Sequence, residues 1–205
     1  MKTVKIFVHD PIIELDCAHA LASALKPTFR VQMLTLDTLC DGIWDADIFA
    51  IGGGIGDSDL FYQLFTQEHK DVIKQYMHDA GRYLGICMGA YWADKLYFDL
   101  TDMCVRQYVR SRSADINHEN PTHVNVKWLD ECHQMYFYDG CTFYNLPGTA
   151  NVYATYSANA MPMAVIDGDV GLIGCHPESE NWWFDKYDRR HNELLQDFAL
   201  ALLYN

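Results

Sequence analysis

Tyr83-Leu84-Gly85-Ile86-Cys87-Met88-Gly89-Ala90-Tyr91 sets a cysteine between two glycines, just after an apolar run and just before a helix-forming one. A strand that turns sharply into a helix crowds the positions two before and two after its apex, and only small residues fit there. The apex side chain then projects from the sheet into a cleft. Cys87 also falls at a helix N-terminus, where the dipole and free N–H groups favour a thiolate. The Met88 N–H is expected to point at an oxyanion formed on an attacked carbon. Most intracellular cysteines are small buried hydrophobes. The apolar strand, the paired glycines and the helix start set Cys87 apart from that background.

Upstream of this elbow, strand and helix signals alternate. Residues 3–8 read as a short apolar strand, and 12–25 carry helical spacing through Ile13, Cys17, Leu21 and Leu25. Residues 29–36 and 47–51 read as the next strands, 60–80 as an amphipathic helix stopped by Gly81, 83–86 as a fourth strand and 88–94 as a helix. This βαβα order predicts an α/β fold, a flavodoxin-like three-layer sandwich whose mostly parallel central sheet has helices on both faces. Ligands are expected at the carboxyl ends of its strands.

Downstream the pattern changes. Residues 123–128, 134–138, 141–144 and 151–156 are short β-rich runs, and they predict an antiparallel extension of the same sheet. Asp139-Gly140 is a two-residue hairpin signal. Residues 163–167 and 171–175, split by Asp167-Gly168-Asp169, predict a second hairpin or adjacent strands, and 192–203 a closing helix. Residues 97–118 show no assignable pattern beyond that of a long surface loop. Nothing linker-like divides the chain, so 1–205 reads as one domain.

A thiol nucleophile needs a base, and the base needs an orienting group. Leu172-Ile173-Gly174-Cys175-His176-Pro177-Glu178 offers both, at the end of an apolar run. Pro177 forces an extended path, so His176 and Glu178 can share one side of the chain. A carboxylate there fixes the imidazole tautomer and supports the imidazolium. Alone, such a triplet is a weak signal. Ile51-Gly52-Gly53-Gly54-Ile55-Gly56-Asp57-Ser58-Asp59 follows the third strand, and its glycines let backbone N–H groups approach a ligand. The run fits neither a dinucleotide fingerprint, because Asp57 stands where the last glycine belongs, nor a phosphate loop, because no GK[ST] follows.

These pieces, in this order, resemble the class I glutamine amidotransferase-like superfamily, and more closely the biotin-protein ligase N-terminal domain family. The resemblance implies Cys87 as nucleophile, His176 as base and Glu178 as orienting group. It implies an oxyanion hole lined by Met88 with Gly53 or Gly54. Amidotransferases usually carry a glutamine four residues after the nucleophile, where it helps hold the substrate. Tyr91 stands there, a departure that counts against glutamine hydrolysis. No ligase catalytic domain is expected in the 205 residues. The implied activity is that of a cysteine hydrolase or amidotransferase-like enzyme acting on an amide or related carbonyl. A small peptidase or a glyoxalase-type lyase would use the same elbow, and a non-catalytic binding or regulatory module would keep the pocket without the reaction.

Other residues carry two readings each. Asp57, Ser58 and Asp59 suit a helix cap, or Asp57 and Asp59 contact a substrate amine. Trp182, Trp183, Phe184 and Tyr187 form either an aromatic wall over the site or a plug in the core. Arg106, Arg110 and Arg112 make a basic patch that suits a substrate carboxylate or a plain solvated loop. Cys87, Cys175 and His176 match no recurrent zinc spacing, so no metal and no cofactor are expected. The formal charge of −13 disfavours nucleic acid and anionic membranes. Seven cysteines without a CxxC pair, and an N-terminus unlike a signal peptide, suit a reducing cytoplasm. The expected partner is a small-molecule or peptide-like substrate, with room for a homodimer.

Overall fold

The computed structural model of the chain describes residues 1–13, 15–179, 183 and 191–205. Its first half runs β1 (Thr3–Phe7), α1 (Leu15–Leu25), β2 (Arg30–Leu34), α2 (Leu36–Gly42), β3 (Ile48–Ile51), α3 (Phe61–Leu64), α4 (Gln67–His78), β4 (Tyr83–Ile86) and α5 (Met88–Trp92). The second half adds β5 (Cys104–Gln107), β6 (Thr122–Trp128), β7 (Glu131–Phe137), β8 (Cys141–Tyr144), β9 (Asn151–Tyr156), β10 (Pro162–Asp167), β11 (Val170–Ile173) and α6 (Asn192–Tyr204).

A nine-stranded sheet runs β2-β1-β3-β4-β11-β10-β9-β6-β7, and β5 and β8 form a separate pair. The strands from β2 to β11 are parallel; from β10 onward they alternate. Alternate strand residues serve the two faces. Val4 and Ile6 pack with Leu21 and Leu25 of α1 and with Phe198 and Leu202 of α6. Phe7, Phe49 and Tyr83 face Phe61, Ile73, Tyr76 and Trp92 on the other side. The result is the three-layer α/β sandwich. Phe61 lies 4.7 Å from Phe98 and 5.8 Å from Trp92, both edge-on, and such pairs add about 0.5–1.5 kcal/mol each beyond area burial.

Register positions the chemistry. Ile51 of β3 sits opposite Gly85 of β4, and Ile86 of β4 opposite Ile173 of β11. The three strands therefore end together. Gly52, Cys87 and the Gly174–His176 run leave the sheet side by side at its carboxyl edge.

Several sequence expectations need correction. The helix expected over 60–80 is two helices. Phe65 is extended (φ −98°, ψ 121°), and Thr66 caps α4 in a reciprocal box with His69. Phe65 instead packs its ring among Phe7, Phe61 and Trp92. The strand expected over 29–36 stops at Leu34, and Thr35 starts α2, an element the sequence reading missed. Helix α1 begins only at Leu15, because His9 and Ile13 close a turn with mutual backbone hydrogen bonds of 3.4 and 2.7 Å. Asp139-Gly140 is not a hairpin turn. β7 already pairs with β6, and β8 goes to β5. The turn instead leaves the sheet, with the Gly140 carbonyl accepting from the Tyr108 N–H at 2.9 Å. The stretch 97–118 holds β5 and a 3-10 turn at Tyr108–Arg110. The second hairpin, β10 with β11, forms as expected. Among the described residues no helix is long and apolar enough to cross a membrane.

Candidate active site

Cys87 sits between β4 and α5 with φ 50° and ψ −103°, a conformation a non-glycine residue rarely adopts. Its surroundings hold it there. The Cys87 N–H donates to the Ile173 carbonyl at 2.9 Å, and the Gly89 N–H to the Gly52 carbonyl at 3.1 Å. A Cβ at Gly85 would stand 2.6 Å from the Gly89 carbonyl oxygen, and one at Gly89 would run into the Ile51 carbonyl. Gly85 permits the close approach of β4 to α5, and Gly89 that of β3 to α5. The thiol is 7% exposed, and it donates to the Tyr138 carbonyl at 3.5 Å.

His176 follows β11 and is pinned by its own N–H, which donates to the Tyr136 carbonyl at 3.0 Å. Its Nδ1 lies 2.9 Å from Glu178 Oε1, and both side chains are buried. Nδ1 therefore carries the hydrogen shared with the carboxylate. Nε2 is also buried, and no nitrogen or oxygen of a described residue hydrogen-bonds to it. Burial opposes charge on this imidazole, but Cys87 and Glu178 outweigh it and push its pKa up to about 10. Since Glu178 occupies Nδ1, the attraction to Cys87 falls to Nε2. Sulfur and ring face the same small cavity, and interaction with Cys87 is among the causes that raise the imidazole's pKa. Tyr136 and Trp183 close on the imidazole with ring centroids 5.7 and 5.9 Å away.

Cys87, with Gly54 and Tyr138, lines two cavities. One, of about 190 Å³, also contains Asp16, Cys17, Tyr136, His176 and Trp183. The other, of about 860 Å³, contains Asp57, Met88, Tyr91, Arg106, Gln107 and Asp139 among others. A Cβ at Gly53 would stand 2.7 Å from His176 Cε1, so the glycine loop abuts the imidazole. No described residue accepts from the Gly53, Gly54 or Met88 N–H.

The remaining sequence candidates separate. Asp57 lines the larger cavity and also caps the 3-10 turn Ser58–Leu60, accepting from the Asp59 N–H at 2.9 Å. Asp59 accepts from the Tyr97 hydroxyl at 2.9 Å and does not line either cavity. Tyr91 does line the cleft, and its hydroxyl donates to the Asp139 carbonyl at 3.1 Å; burial pushes that hydroxyl's pKa up. Trp182, Phe184 and Tyr187 lie outside the described residues. Of the three arginines, Arg106 and Arg110 reach the cleft; Arg112 does not. No group of three or more metal-ligating side chains occurs among the described residues. Sequence reasoning missed Tyr136, Tyr138, Glu119 and Asp139 as cavity residues. Each comes from the antiparallel half, where no motif marks a wall.

No curated protein matches the chain in sequence. The family described as "Biotin-protein ligase, N terminal" matches residues 14–106, just under half the chain. Among solved structures, PurLQS from Thermotoga maritima superposes with TM-score 0.68 at 15% identity, covering 98% of this chain and 99% of that one. A glutamine amidotransferase from the same organism gives 0.66 at 14%, with 100% and 99% covered. Another glutamine amidotransferase gives 0.67 at 16%, with 98% and 99% covered. At such identities the likeness establishes the fold. The chain thus has the class I glutamine amidotransferase-like fold, and over residues 14–106 it matches the biotin-protein ligase N-terminal family.

Proposed function

We propose that the chain acts as a single amidotransferase-like domain and hydrolyses or transfers an amide or related acyl group through Cys87, His176 and Glu178. The observation that carries this is the strained Cys87 apex sharing one small cavity with a buried imidazole whose other nitrogen is held by a buried carboxylate. His176 takes the thiol proton through Nε2, and Glu178 supports the imidazolium. The thiolate attacks the carbonyl carbon. The oxyanion settles on the N–H groups of Met88 and of Gly53 or Gly54. The imidazolium then protonates the departing nitrogen, and water releases the thioester. Tyr91, in place of the amidotransferase glutamine, directs the site away from glutamine.

A second reading, a binding module with an inert thiol, draws on the hydrogen bond from Cys87 to the Tyr138 carbonyl, which holds the proton on sulfur. The alkylation rate of Cys87 against pH separates the two. A rate plateau extending well below pH 8 in the wild type, lost in His176→Ala, is expected for the enzyme. A thiol that titrates like free cysteine and ignores His176 would establish the binding module instead.

A further inference from the structure

Cys87 stands where two cavities of unequal size meet. Proton delivery decides which part of an amide enters which. The departing nitrogen must lie near His176, and His176 lines only the cavity of about 190 Å³. The leaving amine is therefore small, and the acyl part extends into the cleft of about 860 Å³. That volume falls within the roughly 300–1,000 Å³ of pockets that hold drug-sized ligands.

The charges on the larger cleft do not cancel. Arg106 is already matched, its Nη1 lying 3.2 Å from the buried carboxylate of Asp94. Among the described lining residues, Asp57, Glu119 and Asp139 then face Arg110 alone. The Gln107 side-chain amide donates to Glu119 Oε1 at 3.0 Å and to Asp139 Oδ1 and Oδ2 at 2.9 and 3.1 Å. Two carboxylates are thus held side by side on one neutral donor, and neither forms an ion pair with a described residue. Burial pushes the Asp139 carboxyl up to about 6; Glu119 and Asp57 add to this, and Gln107 and Arg110 oppose it. A cation placed between the two would relieve both burial and repulsion. This wall is covalently next to the nucleophile's partner: Asp139 follows Tyr138, whose carbonyl accepts from the Cys87 thiol.

We propose that the site takes amides whose acyl part carries a positive charge, seated between Asp139 and Glu119, and releases a small amine on the His176 side. This rests on the cysteine-hydrolase reading above. The sulfur–carbon bond forms by addition to the carbonyl, and collapse of the oxyanion then breaks the carbon–nitrogen bond, with the imidazolium proton passing to nitrogen. Water then cleaves the thioester, returning the thiol and leaving a cationic carboxylic acid.

The test uses the full chain and two methanethiosulfonate reagents of similar size, one bearing ethylammonium and one ethylsulfonate. The rate of each at Cys87 is read from the mass of its peptide and divided by its rate with a free small thiol. A preference for the cation of about tenfold or more is expected, in line with charge focusing in clefts. Asp139→Asn with Glu119→Gln is expected to reduce it to within about threefold. Asp139→Asn alone keeps a side chain that tolerates the local φ of 46° and is expected to remove part of it. A wild-type preference for the sulfonate, or a ratio unchanged in the double variant, overturns the proposal. Because both reagents meet one sulfur, the ratio is read whether or not His176 activates it. Failure of the hydrolase reading would appear separately, as indifference to His176→Ala.

Discussion

The parallel and antiparallel halves of the sheet contribute different things to one site. The parallel strands β3, β4 and β11 end in register and deliver the glycine loop, Cys87 and His176. The antiparallel half delivers Tyr136, Tyr138 and Asp139, and β5 brings Arg106 and Gln107. On the proposed reading, reactivity is built where backbone geometry is regular and fixed by close glycine contacts. Selection would then be built on turns and strand ends that can change without disturbing the elbow. A fold of this kind separates what it does to a substrate from which substrate it admits.

The sharpest way to break that division is Gly89→Ala. The added methyl meets the Ile51 backbone, which has no rotamer to escape into. A loss of about 3 kcal/mol is expected, a fall in Tm of roughly 10 °C, together with loss of fast Cys87 labelling. Thermal denaturation and alkylation on the same sample check it. Next comes Glu178→Gln. Glu178 is one of the groups that raise the pKa of His176, so without the carboxylate the imidazolium is less favoured. Alkylation between pH 6 and 8 is expected to slow by about tenfold and to converge with wild type at high pH.

The antiparallel half should respond differently. Asp139 has a folded pKa raised from 3.8 to about 6, so its ionised form opposes folding above that value. The unfavourable contribution is present above about pH 6 and disappears as pH falls toward 4. Asp139→Asn is thus expected to raise Tm at pH 7.5 and to leave it unchanged near pH 4, with the His176-dependent plateau retained. A destabilised Asp139→Asn at pH 7.5 would mean that the carboxylate holds the fold instead of waiting for a cation. The smallest effect is expected from Tyr156→Phe, which removes the 2.7 Å hydrogen bond to the buried Cys141 carbonyl. A cost of about 1–2 kcal/mol with unchanged Cys87 reactivity would confine that network to stability.

The same division explains what the sequence disclosed. Cys87, His176 and Glu178 were legible because a strand, a glycine and a charged or nucleophilic residue lie close together along the chain. The strands β8 and β9 were legible too, down to their ends at Cys141–Tyr144 and Asn151–Tyr156. Pairing partners were not. Asp139-Gly140 carries hairpin residues, yet β6 had already taken the far side of β7. The break at Phe65 was hidden because Phe65 continues an apolar helical pattern, and only the aromatic cluster that claims its ring makes the extended conformation worthwhile. The Asp139–Gln107–Glu119 wall joins three separate segments, and no local spacing encodes such an encounter.

The backbone link between His176 and Tyr136 has a consequence for how the chain is made. β7 lies at the opposite edge of the sheet order from β2, and its Tyr136 must arrive before the imidazole is seated. The elbow itself needs only β3, β4 and β11. Contacts far apart in sequence form late, because loop closure must come first. The Cys87–Ile173 hydrogen bond spans more of the chain than the Tyr136–His176 one, so the elbow waits for β11 as well. His176 follows β11 directly and reaches the same edge when that strand docks. The elbow and its imidazole are therefore expected to be completed together, only once the two halves of the sheet have joined.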